Sequence, residues 1–526
     1  MTDRPILAAY YFSDVGVVNF WQSFSPARLE EELRTFKEDG LNTIFVLVPW
    51  ACFQPDTSPV RYNDDALHLL DRIFHTAEGL GLRVGMRLSF LWEATQTRDR
   101  TYTRLQQMHT KPELDTAWID YFSTLYKRFG TRPNHAVSFL AWEDFYWPCY
   151  SPAISRKDRT SIHTFLAETG FLDYLDRRFP NGYAFSESGI LPENPDLWHA
   201  FLEYWDRTIE RLFRLAHSQF PNLGYEYRSD SEHLQKQQGQ LYYHYHRRMF
   251  STTCFPMTYY NQFSCKETDL SKNFNQWVRL QQSEIGERFF ISQFNCVDNT
   301  YDSSEFDAIR QHLGARDMTH QTIEGFLKTI DTQLATATLG YAFWAYRDIP
   351  NDCLYNSRFE RGLEGFEQIG TVLPERQPAG DTVVRMTGLS RIWQDLKYCP
   401  LGGRLKETTL WVKGTCTEQA EITLAYWGNR KTFQLEPGKF SIELRNDTYD
   451  TSPSKDELHC ALVECLAGSI TVERVAFFNI ELTNLMYNRE NQPRPLAQTV
   501  RDLNERLVSP ENSKLWSDGT ILPGRF

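Results

Sequence analysis

Over the first 350 residues, short apolar runs alternate with amphipathic segments of helical period. Residues 5–12 are mostly apolar and end at Ser13-Asp14, which reads as a strand. Ser25-Pro26 supplies a helix cap followed by proline at the first helical position, and Leu29, Leu33 and Phe36 repeat at helical spacing up to Gly40. Residues 41–50 form a second buried run. Asn63 caps a helix with Leu67, Leu70, Phe74 and Ala77 on one face, and residues 82–91 form a third run closing in Trp92-Glu93. A helix near 114–129 leads into a fourth strand, Val137-Ser-Phe-Leu-Ala-Trp-Glu-Asp-Phe-Tyr-Trp-Pro148. This β-α-β-α repetition with short connections predicts parallel strands joined by helical crossovers.

Residues 150–220 are too long for one loop and one helix. Helical patterns over 162–179 and 195–220, linked through a Gly/Ser/Pro/Asn-rich stretch at 186–194, predict a helical insertion at about 150–195. Four further strands are expected at 223–230, 251–260, 289–296 and 340–348, with a helix over 322–339 before the last. Eight strands within about 350 residues fit an α/β (β/α)8 TIM barrel spanning 1–355. Beyond Pro350 the period changes to two. Segments such as Thr409-Leu-Trp-Val-Lys, Glu421-Ile-Thr-Leu-Ala-Tyr-Trp, Lys439-Phe-Ser-Ile-Glu-Leu and Ile470-Thr-Val-Glu-Arg-Val predict an antiparallel β-sandwich over 356–484. A polar tail, 485–526, holds one helix at 497–507.

Composition narrows the function classes. The 526 residues are 41% hydrophobic and 24% charged, an ordinary globular balance, and 14% aromatic, which suits sugar-facing surfaces as well as cores. A net charge of −12 with no basic run longer than Arg247-Arg248 argues against a nucleic-acid groove. No segment has the ~20 uninterrupted apolar residues of a membrane span. The N-terminus lacks a leader pattern, so a cytoplasmic protein is expected, with a removed leader as the alternative. Ten scattered cysteines, without a CxxC pair, read as reduced thiols. His244 and His246 are too close for a helical i, i+4 metal pair, so neither metal nor cofactor is expected. Oligomer formation is left open.

Candidate chemistry gathers at the strand ends. In a barrel of this kind, residues just past the C-terminal end of a strand face the active site. The fourth strand ends in Glu143-Asp144 among Phe145, Tyr146 and Trp147. A carboxylate among aromatic rings is a candidate general acid, because burial disfavours its charged form. Trp50, Trp92, Trp147 and Trp344 are candidates for stacking on sugar rings, or for packing at the barrel mouth. Arg87 and Arg228 lie near strand ends, where either can hold a carboxylate pair or serve a structural ion pair. Asp14 and Asn42, on the first and second strands, are candidate hydroxyl ligands, and Asp144 can orient a base or hold a hydroxyl.

With this layout, the barrel resembles the clan A retaining glycoside hydrolases, over roughly residues 5–350. That resemblance implies an acid/base Glu after strand four, here Leu-Ala-Trp-Glu143, and a nucleophilic group after strand seven, here Phe290-Ile-Ser-Gln293-Phe-Asn. It also implies an aromatic floor at Trp344 and a supporting role for Tyr259 in Met257-Thr-Tyr-Tyr, hydrogen-bonded to the group at 293. The insertion resembles that of some β-galactosidase-type members. Asn356-Ser-Arg-Phe-Glu-Arg-Gly is similar to the opening of jelly-roll carbohydrate-binding modules, whose sugar contacts would fall to Trp393, Trp411 or Trp427, unless the domain is only a buttress.

Two departures qualify the resemblance. Trp142 stands where the clan has Asn. Gln293 stands where the clan has its nucleophilic Glu, and an amide oxygen is a poor nucleophile. Three explanations stay open: a Glu→Gln change made to trap substrate, loss of hydrolysis with sugar binding kept, or another carboxylate, Glu226 or Asp14, in the role. The implied function is a glycosidase, retaining with a ~5–5.5 Å carboxyl pair, or inverting if Glu226 or Asp14 acts at ~6.5–9.5 Å. The alternative is a non-catalytic carbohydrate-binding protein.

Overall fold

The computed structural model describes residues 5–13, 17, 20–24, 26–91, 93, 101–155, 159–185, 191, 194–227, 255–261, 270–286, 288–295, 320–347, 349–352, 354–359, 361–377, 382–396, 408–426, 428–446, 460–482, 485–488 and 491–517. Eight parallel strands close into a barrel: β1 (Ile6–Tyr10), β2 (Thr43–Val48), β3 (Arg83–Leu88), β4 (His135–Ala141), β5 (Leu223–Tyr227), β6 (Phe255–Asn261), β7 (Phe289–Asn295) and β8 (Thr338–Phe343). Each pairs with its sequence neighbour, and β8 closes the ring on β1 with Ile6 opposite Gly340.

Alternation along each strand divides two cores. Ile6, Ala8, Tyr10, Phe45, Leu47, Phe139, Ala141, Met257, Phe290 and Ala342 fill the barrel interior. Their neighbours, such as Leu7, Ala9, Ile44, Val46, Leu140 and Ile291, pack outward against the helices. Both faces of a strand are therefore buried, which is why the strands read as unbroken apolar runs. Gly85 is required inside, because a Cβ there would lie 2.4 Å from the Phe45 ring. At Gly340, with φ +125°, a Cβ would lie 2.0 Å from the Ile6 carbonyl oxygen.

The outer layer includes α1 (Leu29–Glu38), α2 (Asp64–Gly79), α3 (Glu113–Leu125), α4 (Pro195–Gln219), α5 (Leu270–Ile285), α6 (His320–Leu327) and α7 (Asp331–Ala337). Asn63 and Asn194 cap α2 and α4 by accepting from Ala66 and Leu197 backbone N–H groups. The helix expected over 322–339 is two helices, and residues 338–339 already belong to β8. The pattern over 162–179 is likewise broken, at Gly170 with φ +75°, into Arg159–Glu168 and Phe171–Arg178.

The second unit is antiparallel throughout: β9 (Ile349–Asp352), β10 (Glu367–Arg376), β11 (Thr382–Asp395), β12 (Thr408–Cys416), β13 (Ala420–Tyr426), β14 (Asn429–Leu435), β15 (Gly438–Asn446), β16 (Cys460–Ala467) and β17 (Ser469–Leu482). The sheet order is β14-β13-β16-β11-β17-β12-β15, with β9 on β17 and β10 on β11. The end strands β14 and β15 come together, so the sheet wraps around its own apolar core in a sandwich-like, nearly closed shape. Asn356 knots its entrance. The side-chain Oδ1 accepts from Arg361 N–H, and Nδ2 donates to the Gly362 and Glu364 carbonyls, while Phe359 is buried beneath.

The tail returns to the barrel. It holds α8 (Pro495–Leu507) and a second helix, α9 (Pro510–Ser517), which the periodicity did not reveal. Leu496, Val500, Leu503 and Leu507 of α8 are buried in the same core as Leu33 and Phe36 of α1. Asp39, at the end of α1, accepts from Arg501 and from the Tyr487 hydroxyl, each at 2.8 Å. Asn504 bridges the Asp39 carbonyl and the Tyr341 hydroxyl of β8. The β unit is thus inserted between β8 and the helix that follows it in space.

Candidate active site

The interior parity of the barrel carries polar side chains to its C-terminal mouth. On β3, Gly85 and then Arg87 face inward. On β4, Phe139 and Ala141 are followed by Glu143, in a short helical turn, Trp142–Phe145. On β5, Glu226 lies opposite Ala141 of β4 and Met257 of β6, in the same inward set. Gln293 ends the inward set of β7, shifted by an irregularity in its pairing with β6 that sets it opposite Tyr259.

Arg87 organises these groups. Its Nε donates to Asp144 Oδ2 at 2.8 Å and its Nη2 to Asp144 Oδ1 at 3.0 Å. The same Nη2 reaches Glu143 Oε2 at 3.1 Å, and Nη1 donates to Gln293 Oε1 at 3.2 Å. Glu143 and Gln293, 150 residues apart in sequence numbering, thus share one guanidinium. Two oxygens on the two terminal nitrogens of one guanidinium are at most about 9 Å apart, which admits either stereochemical class of glycosidase spacing.

Burial separates the carboxylates by task. The Glu143 side chain is 21% exposed, that of Asp144 2% and that of Arg87 0%. Asp144 also accepts from the Leu91 backbone N–H, so it serves as an internal brace. Burial pushes its carboxyl up to about 6, against the lowering pull of Arg87. Burial opposes the charge on Arg87, but Asp144, Glu143 and Glu226 around it hold the guanidinium well above its ordinary value. Glu226 is fully buried, and its Oε2 lies 2.7 Å from the Ser292 hydroxyl, which is also 2.9 Å from the Thr258 carbonyl oxygen.

Aromatic side chains gather at the ends of β1 and β8. Trp344 meets Tyr10 and Phe12 edge to face, at centroid distances of 4.8 and 5.2 Å. The Tyr10 hydroxyl donates to the Ser292 carbonyl at 2.9 Å. Tyr10 and Ser292 carry no signature in the sequence. What could have pointed to them is their inward parity on β1 and β7. Trp147 is half-buried and edge-on to Tyr146.

Two other candidates lie elsewhere. Trp50 is fully buried, edge-on to Trp118 and bonded to Gln54, so it presents no face to a sugar. Asn42 binds the Leu7 N–H and the Pro5 carbonyl at the opposite end of the barrel, where it ties β1 to β2. Asp14, Trp92, Arg228, Trp427, His244 and His246 fall outside the described residues. In the β unit, Trp393 and Trp411 are half-buried beneath Arg391 and Arg474. Among the described residues no group of three His, Cys, Asp or Glu side chains is placed to hold a metal ion, and no helix is long and apolar enough to cross a membrane.

No family model matches the chain, and no curated protein does. Solved structures give distant likenesses. A β-galactosidase from the psychrophilic Marinomonas ef1 is 12% identical, with 65% of this chain and 54% of that chain covered at a TM-score of 0.40. An endo-1,4-β-mannanase from Rhizomucor miehei is 12% identical, with 65% and 86% covered at 0.39. A family 1 β-glucosidase from Thermotoga maritima is 11% identical, with 66% and 90% covered at 0.38. Likenesses this loose say nothing of activity. The closed barrel rests on its own strand pairing.

Proposed function

We propose that the barrel mouth hydrolyses a glycosidic bond of an oligosaccharide, polysaccharide or glycoconjugate by acid/base chemistry, with retention. One observation carries this reading: Arg87 joins Glu143 and Gln293 at one mouth of a closed barrel, with Glu143 left partly exposed. Glu143 is the general acid, giving its proton to the departing oxygen and recovering one from the incoming water. Trp344 is the apolar surface for the sugar ring, and Tyr259 supports the group at 293. Asp144 and Arg87 position Glu143. Glu226, fully buried, is a poor candidate for activating water.

A second reading is favoured by Gln293 itself: the site binds carbohydrate and does not cleave it. A screen of aryl glycosides against the natural chain and Gln293→Glu separates the two, with product configuration followed by NMR. Cleavage by either form supports the hydrolase. Glycan binding without cleavage by both forms leaves the binding protein.

A further inference from the structure

Gln293 poses a chemical problem that its surroundings answer. It holds the place from which an anomeric carbon would be attacked, yet a carboxamide neither attacks well nor carries the negative charge the step develops. The other described carboxylates at this mouth do not replace it. Asp144 is committed to Arg87 and Leu91, and Glu226 is fully buried. What Gln293 offers is different. Arg87 Nη1 fixes its Oε1 at 3.2 Å, which sets the orientation of the whole amide. A carbonyl oxygen has a second lone pair, and the Nε2 group is a donor that a carboxylate lacks. The charge of Arg87 is meanwhile matched by Asp144, whose carboxylate accepts its two-pronged bond.

We infer that Gln293 is a substrate-orienting residue for a 2-acetamido sugar, whose own amide oxygen is the nucleophile. The inference rests on the hydrolase reading above and names its substrate class: 1,2-trans glycosides of N-acetylhexosamines. Attack on C1 from the neighbouring amide needs that amide on the face opposite the departing group. As the acetamide oxygen bonds to C1, the C1–O glycosidic bond breaks and Glu143 passes its proton to the leaving oxygen. The resulting oxazolinium N–H donates to Oε1 of Gln293. Water then adds at C1, the C1–O bond to the amide oxygen breaks, and Glu143 takes the proton of the water. The acetamide is restored and the configuration at C1 retained. No carboxylate is needed at 293, which accounts for the amide found there.

The test compares aryl N-acetyl-β-glucosaminide and aryl chitobioside with aryl β-glucoside and aryl cellobioside. The natural chain should prefer the 2-acetamido substrates in kcat/KM by about a thousandfold or more, because the site is built to bond a group the 2-hydroxy sugars lack. Fluorine added stepwise to the acetamide should lower kcat progressively, and Gln293→Ala should lower kcat by about a hundredfold or more with a smaller change in KM. Equal cleavage of both sugar classes would overturn the inference and leave the hydrolase standing. So would a natural chain inert on every substrate whose Gln293→Glu variant cleaves the 2-hydroxy sugars. If neither form cleaves any of the four, the hydrolase reading falls as well.

Discussion

Arg87 and Asp144 form a two-pronged ion pair almost out of reach of solvent, Nε to Oδ2 at 2.8 Å and Nη2 to Oδ1 at 3.0 Å. The pair ties β3 to the turn after β4, and through Nη1 to the end of β7. Removing one member of a buried pair strands the other, at a cost of about 3–5 kcal/mol. Asp144→Asn should cost about 3 kcal/mol, the low end of that range, because Glu143 still faces the cation. Urea denaturation at pH 7 measures it. A loss below about 0.5 kcal/mol would show that the bond does not brace the barrel.

A second buried carboxylate makes stability depend on pH. Glu93 is 1% exposed and accepts from the backbone N–H groups of Thr101 at 2.6 Å and Cys52 at 3.1 Å. Burial pushes its carboxyl up to about 7, despite the lowering effect of those bonds and of Arg104. An unfolded Glu titrates near 4.3, so between about 4.3 and 7 the folded chain binds the extra proton. Stability from this group is therefore full below about pH 4 and is lost as pH rises through 7, by up to about 4 kcal/mol. Denaturation midpoints from pH 4.5 to 7.5 should fall more steeply for the natural chain than for Glu93→Gln. Parallel curves would exclude the linkage.

What the sequence made legible follows from burial. Strands enclosed on both faces read as apolar runs, and all eight were placed, but the fourth, expected to run to Pro148, ends at Ala141 where a helical turn begins, and the eighth, expected to 348, ends at Phe343. Edge strands carry no such pattern. β10 is exposed along most of its length and contains Pro374, and it shows neither alternation nor an apolar run. The brace on Asp144 was only half legible. The pair Glu143-Asp144 stands out, but which of two adjacent carboxylates turns inward depends on the helical turn at Trp142–Phe145, a matter of backbone geometry. The return of α8 to the barrel is a long-range contact with no local signal. Only its amphipathic face, Leu496, Val500, Leu503 and Leu507, hinted that it must be covered.

That return gives the third prediction. Leu503 is fully buried against the barrel core, whereas Leu389, on β11, is 80% exposed. Leu503→Ala should destabilise the protein by about 2–5 kcal/mol, since it removes methyl groups from a filled space. Leu389→Ala should change stability by no more than about 0.5 kcal/mol. Chemical denaturation of the full chain measures both. A tail helix merely resting on the surface would make the two variants alike.

The proposed acid makes a prediction that a structural role for Glu143 does not share. A general acid matters in proportion to how badly the leaving oxygen needs a proton. Glu143 is held by Arg87 Nη2 at 3.1 Å yet keeps 21% of its side chain exposed, the combination a proton donor to an incoming substrate needs. Glu143→Gln keeps the shape and an acceptor for Arg87 but cannot deliver a proton. Hydrolysis of substrates with sugar or alkyl leaving groups should fall by about 10²–10⁴-fold. Dinitrophenyl glycosides, whose leaving group departs as a stable anion, should lose far less. A variant that merely distorted the mouth would slow both substrate types equally. The dependence of kcat/KM on leaving-group pKa therefore separates lost acid catalysis from lost structure: the slope should steepen sharply in Glu143→Gln, and an unchanged slope with uniformly low rates would assign Glu143 to the scaffold.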